Sequence, residues 1–296
     1  MSTLQALYKS TSFGISFEVY PPKSQQGMDD LFENLSDLMQ YNPLYVTCTY
    51  GAGGSTQDKT LAIIERVKSE FKVPVATHLT CVGATTDYLI SYLKDAGKRG
   101  VDSVVALRGD PPQGETTFKA VEGGLSYANE LVALIRANFN DRFGIAVAGY
   151  PEKHQEAPSL EVDLENLKRK VDAGADIVVT QLFYDNADFY RFRDRCVAAG
   201  ISIPIVPGIL PVTNLSQIKR ITALCGSKLP QNLSSKLETH VNDPQGQFDV
   251  GVYHATRQVE DLIDQGAPGT HFYVLNKSQA TAQLLRALSL ATRQPR

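Results

Sequence analysis

The feature that most constrains the fold is an alternation of short apolar runs with longer amphipathic stretches, repeated eight times. The apolar runs are strand-length, as is typical of parallel strands that helices cover. They are GISFEVY, LYVTCTY, PVATHLTC, SVVALRG, FGIAVAGY, DIVVTQLFY, PIVPGIL and THFYVLN, at residues 14–20, 44–50, 74–81, 103–109, 143–150, 176–184, 204–210 and 270–276. An open doubly wound sheet usually has about six strands, so eight units favour closure into a barrel. We therefore predict an α/β protein with a single (β/α)8 TIM barrel.

The domain organisation follows from length and composition. The chain has 296 residues and no Pro/Gly/Ser-rich linker or charge block. Single barrels of about 250 residues are common, so we predict one catalytic barrel domain over residues 1–296, with an N-terminal extension at residues 1–12. A polar helical stretch from about residue 230 to 265 interrupts the alternation before the last strand.

Charge and cysteine content exclude several classes of function. The formal net charge is −3, whereas nucleic-acid or membrane partners usually require a basic face. The N-terminus lacks a signal-peptide pattern, so we expect a cytoplasmic protein. No CxxC pair occurs, which argues against a structural zinc site and a disulfide framework. The four cysteines are Cys48, Cys81, Cys196 and Cys225.

Polar residues occupy the C-terminal ends of seven predicted strands, where barrel enzymes carry their chemistry. They are Glu18, Thr47, Thr49, Tyr50, His78, Thr80, Arg108, Asp110, Tyr150, Glu152, His154, Gln181, Asn276 and Lys277. We predict that these side chains converge on one mouth.

Each of these residues also has a purely structural interpretation. Glu18 could form a core ion pair, for example with Arg108, and His78 could be a neutral core histidine. Asp110 precedes two prolines and could be a turn residue. Residues 168–170 could form a solvated helix face, and GAGG could only permit a tight turn. GAGGST also lacks the third glycine of a dinucleotide fingerprint, so a Rossmann site is not supported.

At these residues the chain resembles the bacterial, FAD-dependent methylenetetrahydrofolate reductases. The shared pattern covers nearly everything from Ser16 to about Leu290, with the motifs in family order and spacing. The motifs are SFEVYPP, VTCTYGAGG, HLTC, ALRGDPP, AGYPEKH, DLENLKRKVDAGAD, TQLFYD, PGILPVTN and HFYVLN, which begin at residues 16, 46, 78, 106, 148, 163, 180, 207 and 271. The combination of FExxPP, LRGDPP and YPExH is much more specific than any of its parts.

The resemblance implies a homo-oligomeric barrel with non-covalent FAD. NADH or NADPH would reduce the flavin, and 5,10-methylenetetrahydrofolate would then be reduced to 5-methyltetrahydrofolate, which feeds methionine synthesis. By position, Glu18 matches the general acid that protonates the bridging nitrogen of the folate. A free glutamate is a poor acid at neutral pH, so we expect burial in an apolar strand to raise its pKa.

The remaining site residues are also carried over by position. Asp110 matches a catalytic aspartate that contacts flavin and pterin, and Gln181, Gln217 and Lys277 match substrate contacts. The positions that match FAD contacts are Thr49, Tyr50, Ala52, His78, Arg108, Gly109, Asp110, Ala128, Tyr150, His154, Asp163, Asn166 and Lys170. Two positions depart from the family pattern: Ile221 stands where an aromatic is frequent, and Lys277 where arginine is frequent.

Three other functions remain open at this point. The first is a barrel that transfers the methyl group of methyltetrahydrofolate to a corrinoid or a thiol; the thiol type needs a zinc cluster, which we cannot assemble from this sequence. The second is a reductase that receives electrons from a partner protein. The third is a non-catalytic folate- or flavin-binding barrel, against which the presence of Glu18 and Asp110 argues.

Overall fold

Parallel strands form the barrel in the computed structural model of the chain, which describes residues 4–50, 57–111, 114–115 and 117–290. All strand pairings are parallel, in the order β7-β6-β5-β4-β3-β2-β1-β9-β8. The strands are β1 (Gly14–Val19), β2 (Tyr45–Cys48), β3 (Val75–Thr80), β4 (Ser103–Leu107), β5 (Gly144–Gly149), β6 (Ile177–Thr180), β7 (Ile205–Val206), β8 (Gly208–Ile209) and β9 (Gly269–Tyr273).

The barrel closes at Pro207, which divides its seventh strand into two pieces. Before the proline, β7 pairs with β6; after it, β8 pairs with β9. The carbonyl of Pro207 accepts a 2.9 Å hydrogen bond from the backbone N–H of His271. Because proline has no N–H, the ladder is interrupted there, although the chain continues in the same direction. The nine strands therefore occupy eight positions, which confirms the predicted (β/α)8 barrel.

Helices surround the strands, and many begin at a side chain that accepts a hydrogen bond from a backbone N–H of the first turn. These capping residues are Ser24, Thr85, Ser159, Asp185, Asn214 and Asp243. The α-helices are α1 (Leu4–Lys9), α2 (Gln25–Met39), α3 (Gln57–Phe71), α4 (Thr86–Lys98), α5 (Ala128–Phe139), α6 (Leu160–Asp172), α7 (Asn186–Ala198), α8 (Leu215–Cys225), α9 (Gln231–Glu238), α10 (Pro244–Asp264) and α11 (Gln279–Ala287). In the described part of the chain, no helix is both long and apolar enough to cross a bilayer.

Two apolar layers hold the barrel together. The larger lies between strands and helices and contains alternate strand residues such as Phe17 and Phe272. The other fills the bore of the barrel with residues of the opposite parity, including Tyr45 and Val206. Because side chains alternate across a strand, the parity that places Phe17 against the helices turns Ser16 and Glu18 into the bore.

Helix α1 closes the N-terminal end of the bore. Leu4 and Tyr8 are 0% and 3% exposed and pack with the inward-facing residues of the bore, among them Tyr45. The contact beneath β5 is close, since a Cβ atom added to Gly144 would lie 3.0 Å from Cγ of Leu4. The segment that the sequence marked as an N-terminal extension thus supplies the floor of the barrel.

Candidate active site at the mouth of the barrel

Glu18 is the carboxylate at the centre of the mouth, and two histidines flank it. Its Oε2 atom lies 3.2 Å from Nε2 of His78 on β3 and 3.6 Å from Nε2 of His271 on β9. The Glu18 side chain is 19% exposed. His78 Nε2 is close enough for an ion pair but is not aligned as a hydrogen bond. On its other side, His271 Nδ1 lies 2.7 Å from the Ser16 hydroxyl, so Ser16 fixes the orientation of that ring.

The electrostatics of Glu18 differ from the sequence-based expectation. Burial alone would raise its pKa, but the neighbouring His78 and His271 outweigh burial and lower the pKa to about 2. The expectation of a raised pKa was therefore wrong, because the sequence did not reveal that His78 and His271 flank the carboxylate. The suggested partner was also wrong: Arg108 forms an ion pair with Glu156, not with Glu18.

A cavity of about 450 Å³ lies above Glu18, and both polar and apolar residues line it. The polar lining residues include Glu18, His78, Arg108, Asp110 and Gln181. The apolar lining residues include Leu182, Leu210, Ile221 and Leu275. A flat, polar-edged ring fits this mixed lining, because its edge can form hydrogen bonds while its faces contact apolar groups.

A second cavity of about 300 Å³ adjoins the first. The two share the wall residues Leu107, Arg108, Ala148, Tyr150 and His154. The second is also lined by the first residues of α5 and by three residues of α6, which are Asn166, Arg169 and Lys170. We call the first the central cavity and the second the side cavity. An elongated ligand could extend from the central cavity into the side cavity.

The side cavity is suited to anionic groups. Lys170 donates a 2.6 Å hydrogen bond to the carbonyl of Ala148 on β5, and burial lowers the pKa of its ammonium to about 8. The start of α5 adds the positive end of the helix dipole, where the backbone N–H groups of Ser126 and Tyr127 donate to the Glu130 carboxylate. Arg108 is held by Glu156 through two hydrogen bonds of 2.5 and 2.7 Å, and its guanidinium carbon lies 5.1 Å from the ring centroid of Phe118.

These features fit a dinucleotide flavin. Its ring system would occupy the central cavity and its pyrophosphate the side cavity, close to Arg108, Lys170 and the start of α5. Buried polar atoms near the mouth also favour a polar ligand: Oγ1 of Thr47, Nε2 of His78 and Oγ1 of Thr80 have no hydrogen-bond partner among the described residues.

Most of the predicted site residues meet at these two cavities. The central cavity is lined by Glu18, His78, Arg108, Gly109, Asp110, Tyr150, His154 and Gln181, and the side cavity adds Ala128, Asn166 and Lys170. Asp163 lies behind the site and accepts a 3.0 Å hydrogen bond from the backbone N–H of His154. The solvated-face interpretation of residues 168–170 is therefore wrong for Lys170.

Other predicted residues lie outside these cavity walls. They are Thr49, Tyr50, Gln217 and Lys277. Gln217 is exposed on α8, one turn before Ile221 on the same helix face, and Lys277 is exposed after β9. Ala52 lies outside the described residues.

Sequence reasoning assigned no role to Ser16, His271 or Glu156. His271 begins the motif HFYVLN. Strand parity could have identified it, because His271 pairs in register with Ser16, which lies two residues before Glu18 and on the same face of β1. Glu156 had no comparable signal, because it lies in a loop and its contact with Arg108 joins residues 48 positions apart. In the described part of the chain, no group of three or more His, Cys, Asp or Glu side chains could hold a metal ion.

Comparison with known proteins agrees with this geometry. A family model described as methylenetetrahydrofolate reductase matches residues 3–289. The 5,10-methylenetetrahydrofolate reductase of Salmonella typhimurium is 38% identical over 276 residues, which is 93% of this chain and 90% of that protein. Methylenetetrahydrofolate reductase (NADH) 1 of Arabidopsis thaliana is 39% identical over 284 residues, or 93% of this chain and 48% of that protein. The chain spans about half the length of the plant relatives it matches.

A solved structure shares the fold at low sequence identity. It is described as an uncharacterized protein from Clostridium thermocellum that binds two copies of 5-methyl-5,6,7,8-tetrahydrofolic acid. It is 14% identical with a TM-score of 0.63 and covers 98% of this chain and 100% of its own. That similarity shows the barrel fold alone, whereas the family model and the bacterial relative establish descent. The chain belongs to the methylenetetrahydrofolate reductase family.

Proposed function

We propose that this chain is a flavin-dependent oxidoreductase that reduces 5,10-methylenetetrahydrofolate to 5-methyltetrahydrofolate with NADH or NADPH. The observation that carries the proposal is the position of Glu18, a nearly buried carboxylate between two histidines at the base of a cavity that continues into a cation-lined side cavity. The printed names of the bacterial and plant relatives support the same reaction, and the plant names specify NADH.

FAD, when bound, would supply hydride transfer, and the protein would supply its binding, orientation and surroundings. Arg108 and Lys170 would hold the pyrophosphate. Arg108 is already held by Glu156, so its guanidinium is fixed before the ligand arrives. Tyr150 and His154 form the wall between the two cavities, and their rings meet edge to face with centroids 4.7 Å apart.

The folate would enter the same central cavity as the flavin ring. Asp110 and Gln181 offer hydrogen-bonding groups for a pterin edge, and apolar lining residues such as Leu182 and Leu210 would contact the ring. Glu18 would hold the proton that the bridging nitrogen of the folate receives. With the pKa of Glu18 at about 2, that proton is stored by the carboxylate and its histidines as a unit, and not by an isolated carboxylic acid.

The broader setting is also part of the proposal and rests on the family resemblance. We propose one catalytic barrel domain in a cytoplasmic homo-oligomer that serves one-carbon metabolism and methionine synthesis, with neither nucleic acid nor membrane as a partner. Sedimentation of the purified protein tests the oligomeric state, and a single monomeric species would contradict it.

Titration with FAD followed by anaerobic NADH or NADPH tests the reaction. The visible flavin absorption should bleach, and methylenetetrahydrofolate should restore it. Glu18→Gln keeps the shape of the side chain but cannot donate an acidic proton. We expect near-normal bleaching in this variant, while the folate step slows by roughly 10²–10⁴-fold, the range for a lost general acid. Glu33→Gln, at an exposed position of α2, is the matched control.

Two results would contradict the proposal. The first is a wild-type protein that binds no flavin. The second is a Glu18→Gln variant that reduces folate at the wild-type rate, which would remove Glu18 from the chemistry. Bleaching by a reduced ferredoxin or flavoprotein, but by neither nicotinamide, would identify a partner-fed reductase instead.

A further inference from the structure

A line of hydrogen-bonding side chains runs from Glu18 down to the N-terminal helix. His271 lies between Glu18 and Ser16, with Nε2 facing the carboxylate and Nδ1 facing the hydroxyl. Ser16 Oγ lies 3.2 Å from the Tyr8 hydroxyl, and the Tyr8 hydroxyl donates to the Tyr45 hydroxyl at 3.3 Å. The line thus begins at the proposed acid and ends on α1 and β2.

The side chains of this line are shielded from solvent, so their hydroxyl and imidazole groups must form hydrogen bonds with one another. Ser16, Tyr8, Tyr45 and His271 are 0%, 3%, 1% and 2% exposed. Tyr45 also stacks on the His271 ring, with centroids 6.0 Å apart and an interplanar angle of 16°. Because each hydroxyl has one proton, the direction of one hydrogen bond fixes the direction of the next.

The proton count indicates which nitrogen of His271 is protonated. Tyr8 uses its only proton on Tyr45, so its oxygen must accept the proton of Ser16. Ser16 therefore has no proton to offer His271 and must accept one from Nδ1–H. With Nδ1 protonated, Nε2 either carries a second proton beside ionised Glu18 or accepts the proton of neutral Glu18. In both cases the pair of His271 and Glu18 holds a proton that it can transfer.

Loss of the proton shared by Glu18 and His271 would be unfavourable while Ser16 donates to Tyr8 and Tyr8 donates to Tyr45. Nε2 would then present a lone pair to the Glu18 carboxylate 3.6 Å away, and the two would repel. If Ser16 were free to donate to Nδ1, the remaining proton could move to Nε2 and stabilise the carboxylate. The direction of the hydroxyl line therefore decides how readily the acid loses its proton.

We propose that Tyr8 and Tyr45 are positioning residues that keep His271 protonated at Nδ1, so that the unit of Glu18 and His271 retains its transferable proton to higher pH. This inference rests on the proposed function of Glu18. Tyr8 and Tyr45 act through Ser16 and His271. Tyr8 lines neither cavity, and Tyr45 lines the central cavity without a hydrogen bond to Glu18 among the described residues.

Other titratable groups around Glu18 do not replace this control. His78 approaches Glu18 from β3, Cys48 lies on β2 and Tyr273 lies on β9. The Tyr273 hydroxyl donates to the carbonyl of Thr180 at 2.7 Å, so its proton is not available to His271. Burial raises the pKa of the Cys48 thiol, which keeps that group neutral.

Phenylalanine substitutions test the proposal through a pH profile. Tyr8→Phe removes the acceptor for Ser16, and Tyr45→Phe removes the acceptor for Tyr8, so each frees Ser16 to donate to His271. The rate at which methylenetetrahydrofolate oxidises the reduced flavin should fall at a pH about one unit lower than in the wild type, which means about tenfold slower reaction above that pH. NADH-driven flavin reduction should be unchanged in Tyr8→Phe, because Tyr8 lines neither cavity. Because both changes break the same line, the double variant should shift no further than either single variant.

Tyr41→Phe is the matched control, since it removes another buried phenol hydrogen bond, to the carbonyl of Ala282 at 3.0 Å, far from this line. A direct readout is nitrogen NMR of protein labelled with ¹⁵N-histidine, which contains five histidines. We expect protonated Nδ1 on His271 in the wild type, and a neutral ring protonated only at Nε2 in both tyrosine variants at alkaline pH.

Unshifted pH profiles in Tyr8→Phe and Tyr45→Phe, or a wild-type His271 without a proton at Nδ1, would overturn the inference. If Tyr8→Phe fails to fold, Tyr45→Phe on β2 provides the same test with α1 intact. Failure of the proposed function gives a different pattern: the wild type shows no folate-dependent oxidation at any pH, while the NMR experiment still reports the protonation of His271.

Discussion

At the scale of single residues, Asp110 is the exposed carboxylate that lines the central cavity beside Arg108 and Gly109. A fixed negative charge beside a flavin disfavours its anionic reduced form, and the same carboxylate can bind the pterin. Asp110→Asn should therefore raise the midpoint potential of the bound flavin. It should also raise the folate KM by about tenfold, the loss expected for one hydrogen bond to a charged group.

Spectroelectrochemical titration and steady-state kinetics measure these two effects. Glu115→Gln is the control, because it removes an exposed carboxylate five positions further along the chain that lines neither cavity. An unchanged potential together with unchanged folate KM would assign Asp110 to the turn before Pro111.

Lys277 follows the last strand and has no ion-pair partner among the described residues. Its neighbour Asn276 joins the ends of β1 and β9 through hydrogen bonds of 2.9 and 2.8 Å with the backbone of Tyr20. Lys277 is therefore at the rim, where it could meet the carboxylates of a folate tail. Lys277→Ala should raise the folate KM several-fold at low salt, leave kcat nearly unchanged and lose its effect at high salt.

Lys94→Ala, at an exposed position of α4, is the matched control for the loss of one surface charge. Kinetics at low and high ionic strength give the comparison. A low-salt folate KM equal to that of the wild type would show that Lys277 is a solvent-exposed lysine with no role in folate binding.

The sequence predicted single polar residues at strand ends well, because that signal is local. Glu18, His78, Arg108, Asp110 and Gln181 do surround one cavity. It did not predict which residues pair, since the partner of Arg108 lies in a loop and the partners of Glu18 lie on the third and last strands of the sequence pattern. The direction of the pKa shift of Glu18 depends on those pairings, so the sequence did not predict it either.

At the scale of helices and strands, the alternating pattern located all eight barrel positions because apolar periodicity reports burial directly. The break at Pro207 was not predicted, since an apolar run cannot show where a ladder changes partner. Helix α1 was also not predicted. Its six residues are too few for a periodic signal, and its stability comes from packing beneath the barrel.

Gly251 shows how closely α10 packs on the loop after β8. A Cβ atom at this position would lie 1.7 Å from the carbonyl oxygen of Val212, so the helix or the loop would have to move. Gly251→Ala should therefore destabilise the protein by about 1–3 kcal/mol or more, although alanine normally stabilises a helix. Urea unfolding gives the free energy.

Gly97→Ala on α4 is the control, because a Cβ atom there would meet Phe143 and Arg142 at ordinary contact distances of 3.5 and 3.9 Å. We expect it to be neutral or to stabilise the protein by up to about 1 kcal/mol. Equal effects of the two substitutions would show that α10 can shift away from Val212 at little cost.

At the scale of the whole molecule, the pairing of Glu18 links stability to pH. Its pKa is lowered from 4.5 to about 2 in the folded state, so its ionised form favours folding. The stabilisation is complete above the unfolded pKa and is lost as pH falls through the folded one, with a total of about 3 kcal/mol. The difference in unfolding free energy between wild type and Glu18→Gln should therefore shrink as pH falls from about 5 to about 3.

Urea unfolding at several pH values in this interval measures that difference, and Glu33→Gln should show no such dependence. A difference that stays constant across the interval would mean that the two histidines do not hold Glu18 ionised in the folded protein.

Helix α1 makes the position directly ahead of Leu4 a poor place for an affinity tag or a fusion partner. A bulky group joined directly ahead of Leu4 would compete for the space in which Leu4 and Tyr8 seal the barrel. Removing the residues ahead of position 10 would uncover Tyr45 and Ala76 and let water enter the bore at its N-terminal end. A purified sample altered in this way could retain its flavin colour and still react poorly with folate, so activities measured on such preparations need comparison with an untagged chain.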